Sequence, residues 1–169
     1  ELKFGTTEGG FMKAVLNHYK KKSSPAIIQR LIDAYTQNVV RFGREITPKN
    51  VLPGVVNFLH YLKRKGVTLV AISGNPKKIG DLLLKRTKLN SFFTVTAFSS
   101  ETFLGRSIQN RTEVLQLALL RLGWRPGKHS PRLAIMVGDS PSDILASRAL
   151  GIPSIGVATG GYNLKKLRD

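Results

Sequence analysis

Apolar residues follow two different spacings along the chain, and the spacing changes near residue 47. Between about residues 10 and 45 they recur every three or four positions, which is typical of amphipathic helices. Residues 20–25 interrupt this pattern, and Ser24 and Pro25 suit the cap and the first turn of a second helix. The spacing therefore predicts a helical hairpin, and we assign residues 1–47 to a small, partial helical cap.

After a linker at residues 46–50, helical stretches alternate with short, continuous apolar runs. Such runs are typical of parallel strands that helices cover on both faces. The predicted helices are 53–65, 76–88, 111–122 and 141–150, and the predicted strands are 67–72, 93–98, 133–137 and 152–157. This order predicts an α/β domain with crossover connections over residues 48–169.

Composition narrows the chemistry that this chain can support. Cysteine is absent, which excludes disulfides and thiolate metal sites. His18, His60 and His129 lie in different segments without ligand spacing, so we interpret them as structural or surface residues, and Trp124 as a packing residue. No apolar run approaches the roughly 20 residues needed to cross a bilayer, so no membrane partner is expected.

Positive charge dominates the chain, with 27 Lys and Arg against 10 Asp and Glu, a formal net charge of +17. The basic clusters are distributed between the predicted elements, at 20–22, 63–65, 77–78, 85–88, 125–132 and 165–168. Each cluster alone is typical of a solvated face, but the summed excess favours polyanionic partners. We expect RNA or a ribonucleoprotein, together with protein partners.

Polar residues follow the predicted strand 67–72 at Ser73, Gly74 and Asn75. Ligands of open parallel sheets bind at the carboxyl ends of strands, near the N–H groups of helix N-termini. A Ser hydroxyl and a closely approaching Gly backbone would suit a phosphate there. The triplet is equally typical of an ordinary turn.

Two carboxylates, Asp139 and Asp143, follow the predicted strand 133–137. Mg²⁺ prefers hard oxygen ligands and is commonly bound by one or two carboxylates and water. The alternative is that they only cap a helix. Arg111 begins another helix, where the helix dipole disfavours a cation unless an anion lies nearby; that anion is either a phosphate or a neighbour such as Glu113.

The order of these motifs resembles the haloacid dehalogenase superfamily, most closely its phosphoglycolate-phosphatase-like branch. The resemblance covers residues 51–162 and includes Val-Gly-Asp-Ser-Pro-Ser-Asp-Ile at 137–144. The other matching segments are 51–55, 72–76, 92–93, 110–115 and 151–160. It implies a Rossmann-like parallel-sheet core with a small helical cap.

The resemblance also implies roles for individual residues. Ser73, with Gly74 and Asn75, is similar to the phosphate-binding second motif of the family. Arg111 takes the position of the lysine or arginine of the third motif. Asp139 is similar to the Mg²⁺ ligand of the fourth motif, with Asp143 in support.

The first motif of the family, an Asp-x-Asp pair on the central strand, is not found in the printed sequence. Residues 2–6 do not replace it, because neither Leu2 nor Phe4 is a nucleophile or a proton donor. We therefore assign no catalytic residue, and we expect that residues 1–169 alone do not hydrolyse a phosphate ester. Either an upstream segment or a separate chain supplies the core's first strand, or the protein has lost it.

Two functions follow, and the charge favours the first. It is a largely structural or catalytically reduced component of a basic RNA–protein assembly such as an organellar ribosome, with salt-sensitive RNA association. The sequence does not determine the compartment; the charge favours the mitochondrial matrix, and the cytoplasm is the alternative. The alternative function is a Mg²⁺-dependent phosphomonoesterase that acts on a small phosphate ester and whose nucleophilic Asp lies upstream of Glu1.

Overall fold

A computed structural model describes residues 7–125 and 128–168. The helices in this part of the chain are α1 (Glu8–His18), α2 (Pro25–Phe42), α3 (Val55–Arg64), α4 (Lys77–Arg86), α5 (Arg111–Arg121), α6 (Pro141–Ala149) and α7 (Leu164–Arg168). The strands are β1 (Val70–Ser73), β2 (Val95–Phe98), β3 (Thr102–Phe103), β4 (Arg106–Ser107), β5 (Met136–Gly138) and β6 (Ser154–Gly156). None of these helices is long and apolar enough to cross a membrane.

Helices α1 and α2 pack against each other as a hairpin, as the apolar spacing predicts. Thr7 caps α1, since its hydroxyl accepts a hydrogen bond from Gly10 N at 3.4 Å. Ser24 caps α2 in the same way through Ile27 N at 3.3 Å, and Pro25 occupies the first turn. The division of the chain into two domains near residue 47 stays a prediction.

Parallel strand pairing confirms the predicted α/β class. Strand β1 pairs with β2 from Val70 opposite Val95 to Ser73 opposite Phe98, and β5 pairs with β6 from Met136 opposite Ser154 to Gly138 opposite Gly156. Among the described residues, β1 and β5 are each hydrogen bonded to one neighbouring strand and not to each other. The two parallel pairs therefore each retain an unpaired edge in this part of the protein.

The strands are shorter than the apolar runs predict. Residues 131–133 form a 3₁₀ turn, and Leu133 is 79% exposed, so the strand predicted at 133–137 begins only at Met136. The strand predicted at 152–157 is also shorter and begins at Ser154. Ile152 is buried in the core although it lies before β6, since an apolar side chain can be buried without strand pairing of its backbone. The two-residue strands β3 and β4 were not predicted, since they are too short for an alternating pattern.

Helix α5 contributes residues to two apolar clusters, one packed against each pair of parallel strands. Val114 and Leu117 pack in a cluster with Ala97 of β2, whereas Leu115 and Leu119 pack in a cluster with Met136 of β5. The second cluster also contacts Trp124, which confirms its predicted packing role. Because two adjacent faces of one helix pack into the two clusters, α5 sets the position of β1–β2 relative to β5–β6, and each fully buried Leu contributes about 1.5–3 kcal/mol.

Candidate functional site

A cavity of about 430 Å³ lies where the carboxyl ends of β1 and β5 meet the helical hairpin. It is lined by Glu8, Phe11, Met12 and Tyr35 from the hairpin and by Ser73, Gly74, Asn75, Arg111, Asp139, Ser140 and Asp143 from the strand ends and helix N-termini. All six residues that the sequence predicts for the site therefore share one cavity. Glu8 and the other hairpin residues were not predicted.

The turn after β1 is held by the hydroxyl of Ser73. Its Oγ accepts hydrogen bonds from Asn75 N at 3.1 Å and from the Asn75 side-chain amide at 3.2 Å. A hydroxyl that accepts two bonds still has its own hydrogen to donate. Tyr35 of the hairpin donates to Asn75 Oδ1 at 3.5 Å, so the turn also contacts the helical hairpin.

Arg111 connects the two strand pairs. Its Nε donates to Asp143 Oδ1 at 2.6 Å, and a terminal nitrogen donates to the carbonyl of Ile72 at 3.4 Å. The side chains of Arg111 and Asp143 are only 14% and 3% exposed. The pair thus offsets the unfavourable helix dipole at Arg111 with a buried carboxylate, beside the end of β1.

Glu113 is not the partner of Arg111: Arg111 pairs with an acid, as that alternative expects, but the acid is Asp143. Glu113 pairs with Arg106 at 2.7 Å, and hydrogen bonds from Arg106 are the main reason that the pKa of its carboxyl is lowered. Residues 111 and 113 point in nearly opposite directions, about 200° apart around the helix axis, because neighbours two apart on a helix do not face each other. Arg111 is therefore directed into the cavity.

Asp143 uses both carboxylate oxygens within the protein. Oδ1 accepts from Arg111, while Oδ2 accepts from Ser140 N at 3.2 Å and from Ser140 Oγ at 2.8 Å. A Cβ at Gly138 would lie only 2.4 Å from Asp143 Cβ, so this position requires glycine. The arrangement matches the helix-capping alternative, and the supporting metal role of Asp143 stays a prediction.

Asp139 is exposed, and its carboxylate lies against the loop that follows β6. A Cβ at Gly160 would lie 2.1 Å from Asp139 Oδ2, so only glycine permits this approach. Within residues 7–125 and 128–168, no hydrogen bond or ion pair engages the Asp139 carboxylate, and no three acidic or His side chains lie close enough together to hold a metal ion. One free carboxylate next to solvent fits Mg²⁺, which keeps several waters when few protein ligands are available.

Glu8 is the cavity residue that the sequence analysis missed. Its side chain is 8% exposed and accepts a hydrogen bond from Ser99 Oγ. Burial raises the pKa of Glu8 to about 7, against the smaller lowering effects of the Ser99 bond and of the Arg111 charge. Glu8 follows the Thr7 cap, where an acid is ordinary, so the sequence contains no signal that it reaches a cavity.

Replacement of Glu8 by Gln is expected to change stability with pH. The folded-state pKa of about 7 lies above the ordinary value of 4.5, so folding favours the protonated carboxyl. The stabilisation from the protonated Glu8 carboxyl is fully present below the unfolded-state pKa of 4.5. It is lost as the pH rises to the folded-state pKa of about 7. Since Gln does not titrate, the free energy of unfolding of Glu8→Gln minus that of the wild type should rise by about 2–3 kcal/mol between about pH 5 and pH 8.

Urea unfolding of the full-length protein at the two pH values measures this difference. Asp33→Asn is the matched control, because Asp33 is an exposed acid on α2 and Asn keeps the oxygen that accepts the hydrogen bond from Gln29, so the substitution chiefly removes one surface charge. A Glu8→Gln difference that stays constant with pH would contradict the raised pKa.

The sequence of this chain is similar to those of a known protein family. The family model for haloacid dehalogenase-like hydrolases matches residues 4–157. A phosphoglycolate phosphatase of Pseudomonas putida is 30% identical over 132 residues, which are 78% of this chain and 43% of that protein. A phosphoglycolate phosphatase of Caulobacter vibrioides is 29% identical over 139 residues, 82% of this chain and 53% of that protein. The chain thus spans about half the length of these curated relatives.

Solved structures share the fold at lower identity. A hydrolase from Pseudomonas syringae superposes with a TM-score of 0.80 at 20% identity, over 99% of this chain and 71% of that chain. A β-phosphoglucomutase from Clostridium difficile superposes with a TM-score of 0.78 at 19% identity, over 97% and 68%. At these identities the likeness concerns the fold alone.

The expectation of a structural component of an RNA–protein assembly is wrong. The relatives that cover most of this chain are named as phosphatases, and nothing in these comparisons supports RNA or ribosomal partners. The prediction rested on net charge, which describes solubility and non-specific association rather than fold or reaction. The phosphatase alternative fits the relatives better.

Proposed function

The chain belongs to the haloacid dehalogenase-like hydrolase family, and from that premise we propose that the full-length protein is a Mg²⁺-dependent phosphomonoesterase that acts on a small phosphate ester. The names of the curated relatives support a small phosphate ester as substrate. The cavity of about 430 Å³ lies within the size range of small-ligand sites.

One observation carries this proposal: Ser73, Arg111 and Asp139, from three separate segments, line a single cavity. Ser73 donates its hydroxyl hydrogen to a phosphate oxygen, and the guanidinium of Arg111 supplies positive charge next to it. Arg111 is held in place by Asp143 and by the carbonyl of Ile72, so little side-chain freedom is lost when the phosphate binds.

Asp139 is the residue of this chain that would hold Mg²⁺. When bound, the ion supplies positive charge that neutralises the phosphoryl oxygens. Gly160 keeps the Asp139 carboxylate next to the loop after β6, and Gly138 with Ser140 fixes the turn from which Asp139 projects. The protein therefore positions Asp139 through backbone packing, and the carboxylate remains available.

The nucleophile in this proposal is an aspartate on a strand upstream of Glu1. The unpaired edges of β1 and β5 support this placement, because Arg111 of the connecting helix contacts both the end of β1 and Asp143 after β5. A strand between them would direct its carboxyl end into the same cavity. Its carboxylate attacks phosphorus and the ester P–O bond breaks, the leaving alcohol takes a proton from the second aspartate of the motif, and water hydrolyses the aspartyl-phosphate.

Hydrolysis of p-nitrophenyl phosphate by the full-length native protein tests the proposal. We expect turnover that requires added Mg²⁺, stops with EDTA and returns when Mg²⁺ is restored. Intact-mass and peptide sequencing of the same sample should find an Asp-x-Asp pair upstream of Glu1. A native protein that contains the pair, is folded and shows no Mg²⁺-dependent hydrolysis would disprove the proposed activity.

A further inference from the structure

The helical hairpin contributes one charged side chain, among the described residues, to the wall of the cavity. Phe11 and Met12 of α1 and Tyr35 of α2 form the rest of that wall, whereas the predicted phosphate-binding residues lie on the strand-end side. A phosphate bound by Ser73 and Arg111 therefore directs its ester group toward the hairpin. Glu8 is the ionisable group that the ester group meets there.

A structural role alone does not account for Glu8. The first turn of a helix favours an acid, and the bond from Ser99 ties α1 to the loop after β2. Both effects are available to a solvent-exposed carboxyl, which avoids the cost of desolvation. Glu8 is instead buried, and its described side-chain partner is a single hydroxyl, which leaves carboxylate lone pairs available to a ligand.

We propose that Glu8 selects the leaving group, so that the substrate is the phosphate ester of an uncharged or cationic alcohol that donates hydrogen bonds, and not of a hydroxy acid. This inference rests on the proposed phosphomonoesterase function and refines its substrate class. A hydroxyl or ammonium of the leaving group would donate to the Glu8 carboxylate. The nearby apolar side chains of Phe11 and Met12 limit the space for additional polar groups.

A carboxylate on the leaving group would face Glu8 as a like charge. Such a pair repels where the carboxylates are partly shielded from solvent, as the buried Glu8 is, and protonation of one partner relieves the repulsion. Phosphoglycolate, the compound in the names of the curated relatives, has such a carboxylate. Glu8 thus predicts that this protein differs from those relatives in the ester that it prefers.

The test compares two substrates of similar size in the full-length protein at about pH 8: glycerol 2-phosphate, which donates hydroxyls, and phosphoglycolate. The readout is the ratio of their kcat/KM values. We expect the wild type to favour glycerol 2-phosphate by at least about tenfold, and Glu8→Gln to shift the ratio toward phosphoglycolate by about tenfold or more. Ethanolamine phosphate in a third assay shows whether an ammonium is accepted in place of a hydroxyl.

Two further variants separate charge from folding. Ser99→Ala removes the bond that ties Glu8 to the core, and because that bond lowers the pKa of Glu8, more of the carboxyl is protonated at about pH 8. Its ratio should therefore shift in the same direction as that of Glu8→Gln, by a smaller factor. Asp33→Asn removes one exposed negative charge from α2 and should also leave the ratio unchanged. If Glu8→Gln fails to fold, the wild-type preference and the Ser99→Ala ratio still decide the outcome.

The possible results are distinguishable. A wild type that hydrolyses phosphoglycolate faster than glycerol 2-phosphate, or a Glu8→Gln ratio equal to that of the wild type, overturns the role of Glu8 and leaves the phosphatase function intact. The absence of hydrolysis of every ester, including p-nitrophenyl phosphate, overturns the phosphatase function and the selectivity with it.

Discussion

Substitution of Asp139 by Asn in the full-length protein should lower kcat/KM for p-nitrophenyl phosphate by about 10²–10³-fold, or more. Asn preserves the size of the side chain but removes the negative charge that Mg²⁺ requires. Because no described residue pairs with the Asp139 carboxylate, the substitution should cost little stability, within about 0.5 kcal/mol. Steady-state kinetics over a Mg²⁺ titration, together with urea unfolding, measure both quantities.

A pair of adjacent glycines provides the matched control. A Cβ at Gly160 would meet Asp139 Oδ2 at 2.1 Å, whereas a Cβ at Gly161 would meet nothing within 4 Å. Gly160→Ala should therefore raise the Mg²⁺ concentration needed for half-maximal activity by about tenfold or more, since it displaces a ligand from its place. Gly161→Ala should behave as the wild type. If Asp139→Asn keeps full activity at every Mg²⁺ concentration, the metal-ligand assignment is wrong.

The second large effect is expected from Arg111→Met, which removes the only guanidinium that lines the described cavity. We expect kcat/KM to fall by about 10²–10³-fold, because the phosphate loses its cationic partner. Stability should also fall, by about 3 kcal/mol, because the 3%-exposed carboxylate of Asp143 is left buried without its ion-pair partner. Activity assays and urea unfolding of the full-length protein test the two effects separately.

Two other variants identify the cause of the losses. Arg111→Lys keeps the charge but has a single ammonium, which does not reproduce the separate contacts to Asp143 and Ile72, so activity should lie between the two extremes. Asp81→Asn breaks the exposed pair with Lys77, both side chains being about half exposed, and should cost less than about 0.5 kcal/mol. Arg111→Met with wild-type kcat/KM would exclude Arg111 from phosphate binding.

Net charge was the sequence feature that led to the wrong prediction of an RNA–protein assembly. The excess of 17 positive charges is a property of the whole chain, and its clusters lie in many separate segments. Whether such clusters form a binding surface depends on their arrangement in space. The family relationship instead rests on a match over residues 4–157, which depends on the order of residues along the chain and not on the total charge.

The sequence by itself determined the α/β class, the helical hairpin and the six candidate site residues, because each depends on local information. Apolar spacing reports which face of a segment is buried, and strand–turn–helix junctions in a parallel sheet all meet at one edge. Position and residue type therefore made Ser73, Arg111 and Asp139 candidates, and the family resemblance supplied the roles that we propose for them. The predicted bounds of the strands were less accurate, since apolar residues such as Ile152 are buried without being part of a hydrogen-bonded strand.

Tertiary structure alone decided which charges meet. Arg111 pairs with Asp143, 32 residues away, rather than with nearby Glu113, because α5 and α6 pack against each other. Glu8 reaches the cavity only because the hairpin folds over the strand ends, and Gly160 accommodates Asp139 only because the loop after β6 passes beside it. These contacts join residues far apart in sequence, and their energies depend on burial and distance, which no local pattern of residues specifies.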